Sequence, residues 1–306
     1  MVSSGRVPSF DLLLLGVAIV AISTSAPLIA GAAAPTLAIA FWRNALALPV
    51  LGAWVLGRAP ERAAWRGRTR DEKRLTGLAG LLLGAHFALW VPSLSFTSVA
   101  SSVALVATQP VWAALIARRR GHVIARGTWI GMGLALSGTV LLTGVDLSIS
   151  GRALFGDLLA LGGGFLAAAY VTVGSEVRRT LTTTVYALGC YAVAGVGLLA
   201  VCLVSGQDLT GYDRDTWLAI GGLVLGAQLL GHTLVNRVLS TISPMAVSVA
   251  ILFEILGATV IARIAFGETP PAGAWPAAVL IAAGVVVVIR SDVDASDLVE
   301  PEGMIT

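Results

Sequence analysis

The chain has 306 residues, of which 57% are hydrophobic and only 12% are charged, and its mean hydropathy is +0.88. A soluble domain carries about a quarter charged residues, so this composition excludes an ordinary soluble protein. The net charge is +3 and the basic residues gather between apolar runs, a pattern that indicates membrane topology and no nucleic-acid partner.

Apolar runs of about 20 residues, the length that crosses the hydrocarbon core of a bilayer, recur along the whole chain. Ten spans are predicted, in chain order: 11–31, 35–57, 75–93, 96–117, 127–144, 153–173, 183–205, 216–236, 244–266 and 272–290. In the first span, Ser23-Thr24-Ser25 before Pro27 predicts a weakened helix that exposes backbone groups to a cavity. The sequence therefore predicts an all-α membrane protein with ten transmembrane helices.

The positive residues predict the orientation of these spans. If the N-terminus is cytoplasmic, 16 of the 20 Lys and Arg residues fall on the cytoplasmic side: Arg6, Arg58, Arg62, Arg66, Arg68, Arg70, Lys73, Arg74, Arg118, Arg119, Arg120, Arg126, Arg178, Arg179, Arg237 and Arg290. Arg152 and Arg214 fall outside, which gives a strong positive-inside bias. We expect a multi-pass protein of the inner membrane with both termini in the cytoplasm. The acidic tail, 291–306, lacks periodicity and is predicted to be disordered there.

Two of the three histidines lie in similar apolar settings, LLGAHFALW around His86 and LLGHTLVN around His232. They are 146 positions apart (232 − 86), and the same shift places Trp129 on Trp275. The shift relates 11–144 to 153–290, each with five spans. Because five is odd, the second half must enter the membrane from the opposite side. The sequence therefore predicts two inverted five-helix repeats, an architecture of transporters.

Three stretches resemble EamA-type members of the drug/metabolite transporter superfamily: AISTSAPLIAGAAAPTLAIAFWRNALALP, HFALWVPSLSFTSVASSVALVATQPVW and GHTLVNRVLSTISPMAVSVAILFEILGATVIARIAFGE. The resemblance covers nearly all of 11–290. It departs from the family where the usual Glu-Pro of the ninth span is Glu254-Ile255, so the proline break expected there is missing; Gln109-Pro110 keeps the proline in the first half.

The resemblance implies a secondary transporter that exports small metabolites, such as amino acids, nucleobase-like compounds or drugs, by alternating access. The central cavity is expected between spans 1, 3, 4, 6, 8 and 9. Two alternatives stay open: an uncoupled facilitative carrier, and a membrane sensor or scaffold that moves nothing. The expected partners are a small-molecule substrate and the lipid bilayer, with a homodimer as one option and no nucleic acid.

Glu254 is the candidate for proton coupling, because it lies near the middle of its span. An ionised carboxylate is costly at that depth, so Glu254 is expected to hold a proton and to release it when water reaches the cavity. The alternative is a protonated glutamate that only ties helices together.

Six further residues are candidates for lining the cavity. Gln228, His232 and Asn236 recur every four residues and predict one polar stripe on the eighth helix, while His86 and Trp90 share a face of the third. A stripe that polar should face a cavity or a helix interface and avoid lipid. Gln109 in the fourth span could meet a polar solute or serve helix packing.

Arg43, in the second span, is the candidate for binding an anionic group. It could equally pair with a carboxylate or with helix carbonyls, since buried cations in membranes usually find a protein partner.

The sequence proposes no enzyme chemistry. It contains no Walker-type phosphate loop, no HExxH, no CxxC and no GxSxG nucleophile elbow. Neither a cofactor nor a metal is expected.

Overall fold

The computed structural model describes residues 9–97, 99–143, 150–266 and 273–297, and within these ranges the chain is helical with no strand. The helices are α1 (Ser9–Ile22), α2 (Ser25–Ala30), α3 (Thr36–Ala45), α4 (Ala47–Gly57), α5 (Ala59–Arg66), α6 (Arg70–Ser93), α7 (Val99–Val106), α8 (Gln109–Arg119), α9 (Arg126–Thr143), α10 (Gly151–Val177), α11 (Thr183–Val204), α12 (Arg214–Leu223), a π-helix (Val224–His232), α13 (Thr233–Val238), α14 (Pro244–Ile251), α15 (Phe253–Phe266) and α16 (Ala274–Asp297).

These helices form the ten predicted spans. Spans 3, 5, 6, 7 and 10 are the single helices α6, α9, α10, α11 and α16, whereas spans 1, 2, 4 and 9 each consist of two consecutive helices. Span 8 runs from Arg214 to Val238 through the π-helix. Seven of the described segments are long and apolar enough to cross a membrane on their own, and span 9 provides a shorter apolar segment, Pro244–Ala258. The fold class predicted from the sequence is confirmed.

Side-chain caps fix where several spans begin. Thr69 and Glu72 form a capping box, in which the Thr69 hydroxyl accepts from the Glu72 N–H and the Glu72 carboxylate accepts from the Thr69 N–H. Ser150, Thr182 and Asp213 each accept a backbone N–H at the start of spans 6, 7 and 8. Because the first N–H groups of a helix have no internal partner, these side chains stabilise the helix ends at the membrane boundary.

Span 1 is interrupted at Ser23-Thr24, as predicted from the sequence. The Ser23 hydroxyl donates to the Ile19 carbonyl (2.8 Å), and the Thr24 hydroxyl donates to the Ala21 carbonyl (2.7 Å). These bonds occupy carbonyls at the end of α1, where the helix stops and a new one begins before Pro27.

Span 9 is also interrupted, although it lacks the proline of the family. α14 ends at Ile251 and α15 begins at Phe253. The Leu252 N–H donates to the Val249 carbonyl (3.1 Å), a tight three-residue bond in place of the α-helical bond. The expectation of a missing break is therefore wrong, because a tight turn at Leu252 breaks the span without proline.

Small residues let neighbouring spans approach closely. Span 5 packs on span 10, where a Cβ atom added to Gly284 would lie 2.4 Å from the Gly131 carbonyl oxygen. Span 3 packs on span 7, where a Cβ atom added to Gly80 would lie 2.6 Å from the Cys190 carbonyl oxygen. Span 3 also packs on span 6, and span 1 packs on span 8, which are equivalent contacts under the repeat. Close backbone approach is the usual way in which membrane helices gain van der Waals contact.

Two features outside the predicted spans were not predicted. The basic segment between spans 2 and 3 contains the short helix α5, and the last helix continues to Asp297, into the segment predicted to be a disordered tail. Residues 298–306 of that tail lie outside the described residues.

Candidate functional site

Arg43 lies at the centre of the bundle and is 1% exposed. Its Nε donates to the Gln228 side-chain oxygen (2.9 Å), and its guanidinium carbon lies 4.3 Å from the centre of the Phe87 ring. Gln228 in turn donates from Nε2 to the Asn44 side-chain oxygen (3.1 Å). Arg43 thus joins span 2 to span 8 through the Gln228 side-chain amide and to span 3 through the face of the Phe87 ring.

Both repeat-related histidines lie beside Phe87. The His86 and Phe87 ring centres are 5.0 Å apart, and those of Phe87 and His232 are 5.9 Å apart with an edge-on geometry. His86 also stacks on Trp90, at 5.8 Å and 7° between the ring planes. The sequence pattern predicted that His86 and Trp90 share a face, and the stacking agrees with it.

The carbonyl oxygen of Gly163 fixes the tautomer of His86. It lies 2.9 Å from His86 Nδ1. A carbonyl can only accept, so Nδ1 carries the hydrogen and, in the neutral ring, Nε2 is left as an acceptor. Gly163 permits this approach, because a Cβ atom there would lie 3.0 Å from the Cβ of Trp90.

Arg43 and His232 contact Phe87, and Trp90 joins this cluster through His86. Each of the three has a buried polar atom with no hydrogen-bond partner among the described residues: Arg43 Nη2, Trp90 Nε1 and His232 Nδ1. Leaving a buried donor or acceptor unpaired costs about 1–3 kcal/mol, so such groups are rare in folded proteins and call for an explanation. Their occurrence in one cluster of contacting side chains marks this region as the candidate site.

The predicted stripe on span 8 is modified by the π-helix, which contains Gln228 and ends at His232. The Tyr191 hydroxyl donates to the Gln228 backbone carbonyl (3.4 Å) and accepts from Asn236 Nδ2 (3.5 Å). Tyr170 donates to the Asn236 side-chain oxygen (2.5 Å). The Gln228 side chain therefore faces span 2, and the Asn236 side chain faces spans 6 and 7. His232 contacts Phe87 on span 3, so the stripe divides among several neighbouring spans.

Arg178, just beyond span 6, lies at the end of this polar network. Its Nε donates to the Asn236 backbone carbonyl (2.8 Å), and its Nη2 donates to the Thr183 hydroxyl (2.8 Å). Burial, with a smaller contribution from neighbouring Arg237, lowers the pKa of Arg178 to about 10. Arg178 thus stays positive at neutral pH and binds the carbonyl end of span 8, where a cation is favoured.

Gln109 and Glu254 lie at the breaks of spans 4 and 9. Gln109 begins α8 and donates from Nε2 to the Ser248 hydroxyl (2.9 Å), which joins the two broken spans. Glu254 is half-buried in the first turn of α15. Glu254 and Arg43 form no ion pair in the described part of the chain.

Four contributors to the site were missed by the sequence analysis: Asn44, Phe87, Tyr170 and Tyr191. Asn44 and Phe87 directly follow predicted site residues, and Tyr170 and Tyr191 are two of only four tyrosines in the chain. A polar residue next to a buried arginine, and hydroxyl-bearing rings in the middle of spans, were the available signals. Among the described residues, no group of three His, Cys, Asp or Glu side chains could hold a metal ion.

Comparison with known proteins agrees with this architecture. A model of the EamA-like transporter family matches residues 10–144 and 154–290, which is most of the chain. The chain belongs to the EamA-like transporter family. This EamA-like chain is 26% identical over 244 residues to an uncharacterized transporter of Archaeoglobus fulgidus, covering 76% of this chain and 80% of that protein.

The fold also matches a solved crystal structure with a TM-score of 0.76 at 20% sequence identity, over 92% of this chain and 97% of the other. At that identity the match concerns the fold alone. Together with the apolar helices, family membership makes this chain an integral, multi-pass membrane transporter.

Proposed function

We propose that this transporter is a secondary carrier that exports a small metabolite by alternating access, with proton movement through Glu254. The carrier binds its solute around Phe87, among Arg43, His86, Trp90, Gln109, Gln228, His232 and Asn236. Amino acids, nucleobase-like compounds and drugs are the substrate classes to test first. The positive-inside bias supports an inner-membrane location with both termini in the cytoplasm.

The grouping of unpaired polar atoms around Phe87 carries this proposal. Arg43 Nη2 and Trp90 Nε1 are donors, and both are buried without a partner among the described residues. A solute with an acceptor group, above all a carboxylate, would pair with the Arg43 guanidinium. A flat ring would lie against the stacked pair of His86 and Trp90, which are 5.8 Å apart.

Glu254 supports the coupled form of the proposal. It lies beside the break of span 9, and broken helices line the binding sites of many secondary transporters. An ionised carboxylate is costly inside a membrane and is stabilised when water reaches it. A conformational change that alters the water around Glu254 would therefore change its protonation and couple proton movement to solute movement.

The test is flux in proteoliposomes loaded with a mixed pool of amino acids, nucleobases and small amines, followed by mass spectrometry with and without a pH gradient. We expect the gradient to drive the loss of one solute class. Glu254→Gln should abolish that gradient dependence, because glutamine keeps the shape but carries no exchangeable charge. The matched control is Glu176→Gln, a half-exposed residue whose ion pair with Arg120 contributes little.

Each outcome has a distinct meaning. Flux that ignores the gradient and survives Glu254→Gln would favour the uncoupled carrier, in which Glu254 is structural. Binding of a solute by the purified protein, with no saturable flux of any solute, would overturn the carrier and favour a sensor.

A further inference from the structure

Asp11 is a charged residue that the proposed transport mechanism does not yet use. It lies in the first turn of α1, yet it is only 3% exposed. Its Oδ2 accepts a hydrogen bond from the Thr241 hydroxyl (2.7 Å), and its Oδ1 lies 3.7 Å from the Arg237 guanidinium. Arg237 lies at the end of span 8, and Thr241 lies in the loop that follows it. One end of span 1 is therefore joined to the loop between spans 8 and 9.

The repeat shift of 146 places Asp11 on Asp157 (157 − 11), near the start of span 6. The surrounding sequence repeats as well: SGRVPSFDLL at 4–13 matches SGRALFGDLL at 150–159. Asp157 Oδ1 accepts from the Thr97 hydroxyl (2.7 Å), in the loop between spans 3 and 4. That loop is itself the repeat equivalent of the one that contains Thr241. The two aspartates thus make equivalent contacts. Each lies in the first span of one repeat and contacts the loop between the third and fourth spans of the other repeat.

The surroundings of the Asp157 contact confirm that helix and loop are in direct contact. Arg152 donates from Nη2 to the Ser95 carbonyl (2.8 Å). A Cβ atom added to Gly156 would lie 2.7 Å from the Thr97 nitrogen. The loop between spans 3 and 4 therefore lies directly on the start of span 6.

The two contacts lie at opposite ends of the bundle, because the repeats are inverted. They also differ in burial: Asp11 is almost completely buried, whereas Asp157 is half-exposed. A transporter with inverted repeats can reach its other state when the two halves exchange conformations. In such an exchange, Asp157 would take the buried environment that Asp11 has here, and Asp11 would become half-exposed.

We propose that Asp11 and Asp157 are equivalent positioning residues for the two gates. Both contacts are formed in this structure, so each holds its own end of the bundle closed here. The Asp11 contact with Thr241 and Arg237 breaks when its end opens, and the Asp157 contact with Thr97 breaks when the opposite end opens. Each contact crosses between the repeats, so it must change when the halves move against each other. Hydrogen bonds to an ionised carboxylate are strong enough to bias such an equilibrium. The inference rests on the proposed alternating-access function.

The test is hydrogen–deuterium exchange, followed by mass spectrometry, on the full-length protein in lipid nanodiscs. Asp11→Asn should weaken the contact at its own end, shifting the ratio of the two states by about tenfold. We expect faster exchange in 237–243 and slower exchange in 94–97. Asp157→Asn should have the opposite effect, with slower exchange in 237–243 and faster exchange in 94–97. The control is Asp208→Asn, an exposed aspartate, which should change neither region.

A reciprocal response separates gating from local structure. If either variant only speeds exchange at its own end, or both variants speed exchange at both ends, the contacts are structural and the inference is wrong. Thr241→Val and Thr97→Val remove only the neutral donor, and they serve the same test if an aspartate variant does not fold. The exchange experiment needs no substrate. Reciprocity without flux of any solute would overturn the transport proposal alone, whereas flux without reciprocity would overturn the gating inference alone.

Discussion

Replacing Gln228 by leucine should destabilise the protein, because Gln228 joins span 8 to span 2 through two buried hydrogen bonds. Leucine has nearly the same size but would leave Arg43 Nε and the Asn44 side-chain oxygen without these partners. Arg43 would then retain only its contact with Phe87 among the interactions described above. The substitution therefore tests whether the central polar cluster holds the helices together.

The magnitude follows from the two bonds. A hydrogen bond to a charged group contributes about 1.5–3 kcal/mol and a neutral one about 0.5–1.5 kcal/mol in water-soluble proteins, so the sum is roughly 2–4.5 kcal/mol. Between membrane helices the measured average is only about 0.6 kcal/mol per bond, which gives a lower limit of about 1 kcal/mol. We expect a loss of about 2 kcal/mol, because Arg43 is 1% exposed and has no access to water.

The assay is reversible unfolding in mixed micelles with a rising fraction of denaturing detergent, followed by circular dichroism. Gln228→Glu keeps an acceptor for Arg43 and should lose less stability than Gln228→Leu. Gln207→Leu, in the loop before span 8, is the matched control and should stay within about 0.5 kcal/mol of the wild type. An unchanged unfolding free energy for Gln228→Leu would refute the view that this cluster stabilises the bundle.

Two further predictions concern helix packing and pH. Gly284→Ala should cost about 1–3 kcal/mol in the same unfolding assay, because its Cβ atom would lie 2.4 Å from the Gly131 carbonyl oxygen. The control is Gly133→Ala, which should be neutral because a Cβ atom there would have nothing within 4 Å. Equal effects of the two substitutions would contradict the close contact of spans 5 and 10. Hydrogen bonds from the Thr216 side chain and backbone N–H lower the pKa of Asp213, so its stabilisation of the span 8 start is present above the ordinary carboxyl value and is lost as pH falls through the lowered value. The stability difference between wild type and Asp213→Asn should disappear over that acidic range, and a difference that stays constant would argue against the cap.

Much of the site was accessible to sequence reasoning where the signal is local. His86 and Trp90 were assigned to one helix face from their spacing, and their rings stack at 7°. Arg43 was expected to bind an anionic group, a carboxylate or helix carbonyls, and the structure instead places the side-chain amide of Gln228 against it. The sequence could not name Gln228 as that partner, because the two residues are 185 positions apart and meet only after spans 2 and 8 pack.

Span 9 shows why a local rule can fail. Proline is one cause of a helix break, so its absence beside Glu254 suggested an unbroken span. The interruption at Leu252 depends on a tight hydrogen bond from its backbone N–H to the Val249 carbonyl, which any residue except proline can make. The π-helix of span 8 is similar, since nothing in VLGAQLLGH marks a widened turn before neighbouring spans are in place.

The sequence by itself determined the membrane class, the ten spans, their inversion and the places of Arg43, His86, His232 and Glu254 within spans. These follow from the length of the apolar runs, the distribution of charge and the repeat shift of 146, all of which can be read from the order of residues along the chain. Only the tertiary structure decided which polar groups meet, that His232 contacts Phe87 while Asn236 contacts Tyr170, and that Asp11 and Asp157 make equivalent contacts in unequal surroundings. The physical reason is that hydrogen bonds between spans depend on how the helices cross and rotate, and packing over the whole bundle sets both.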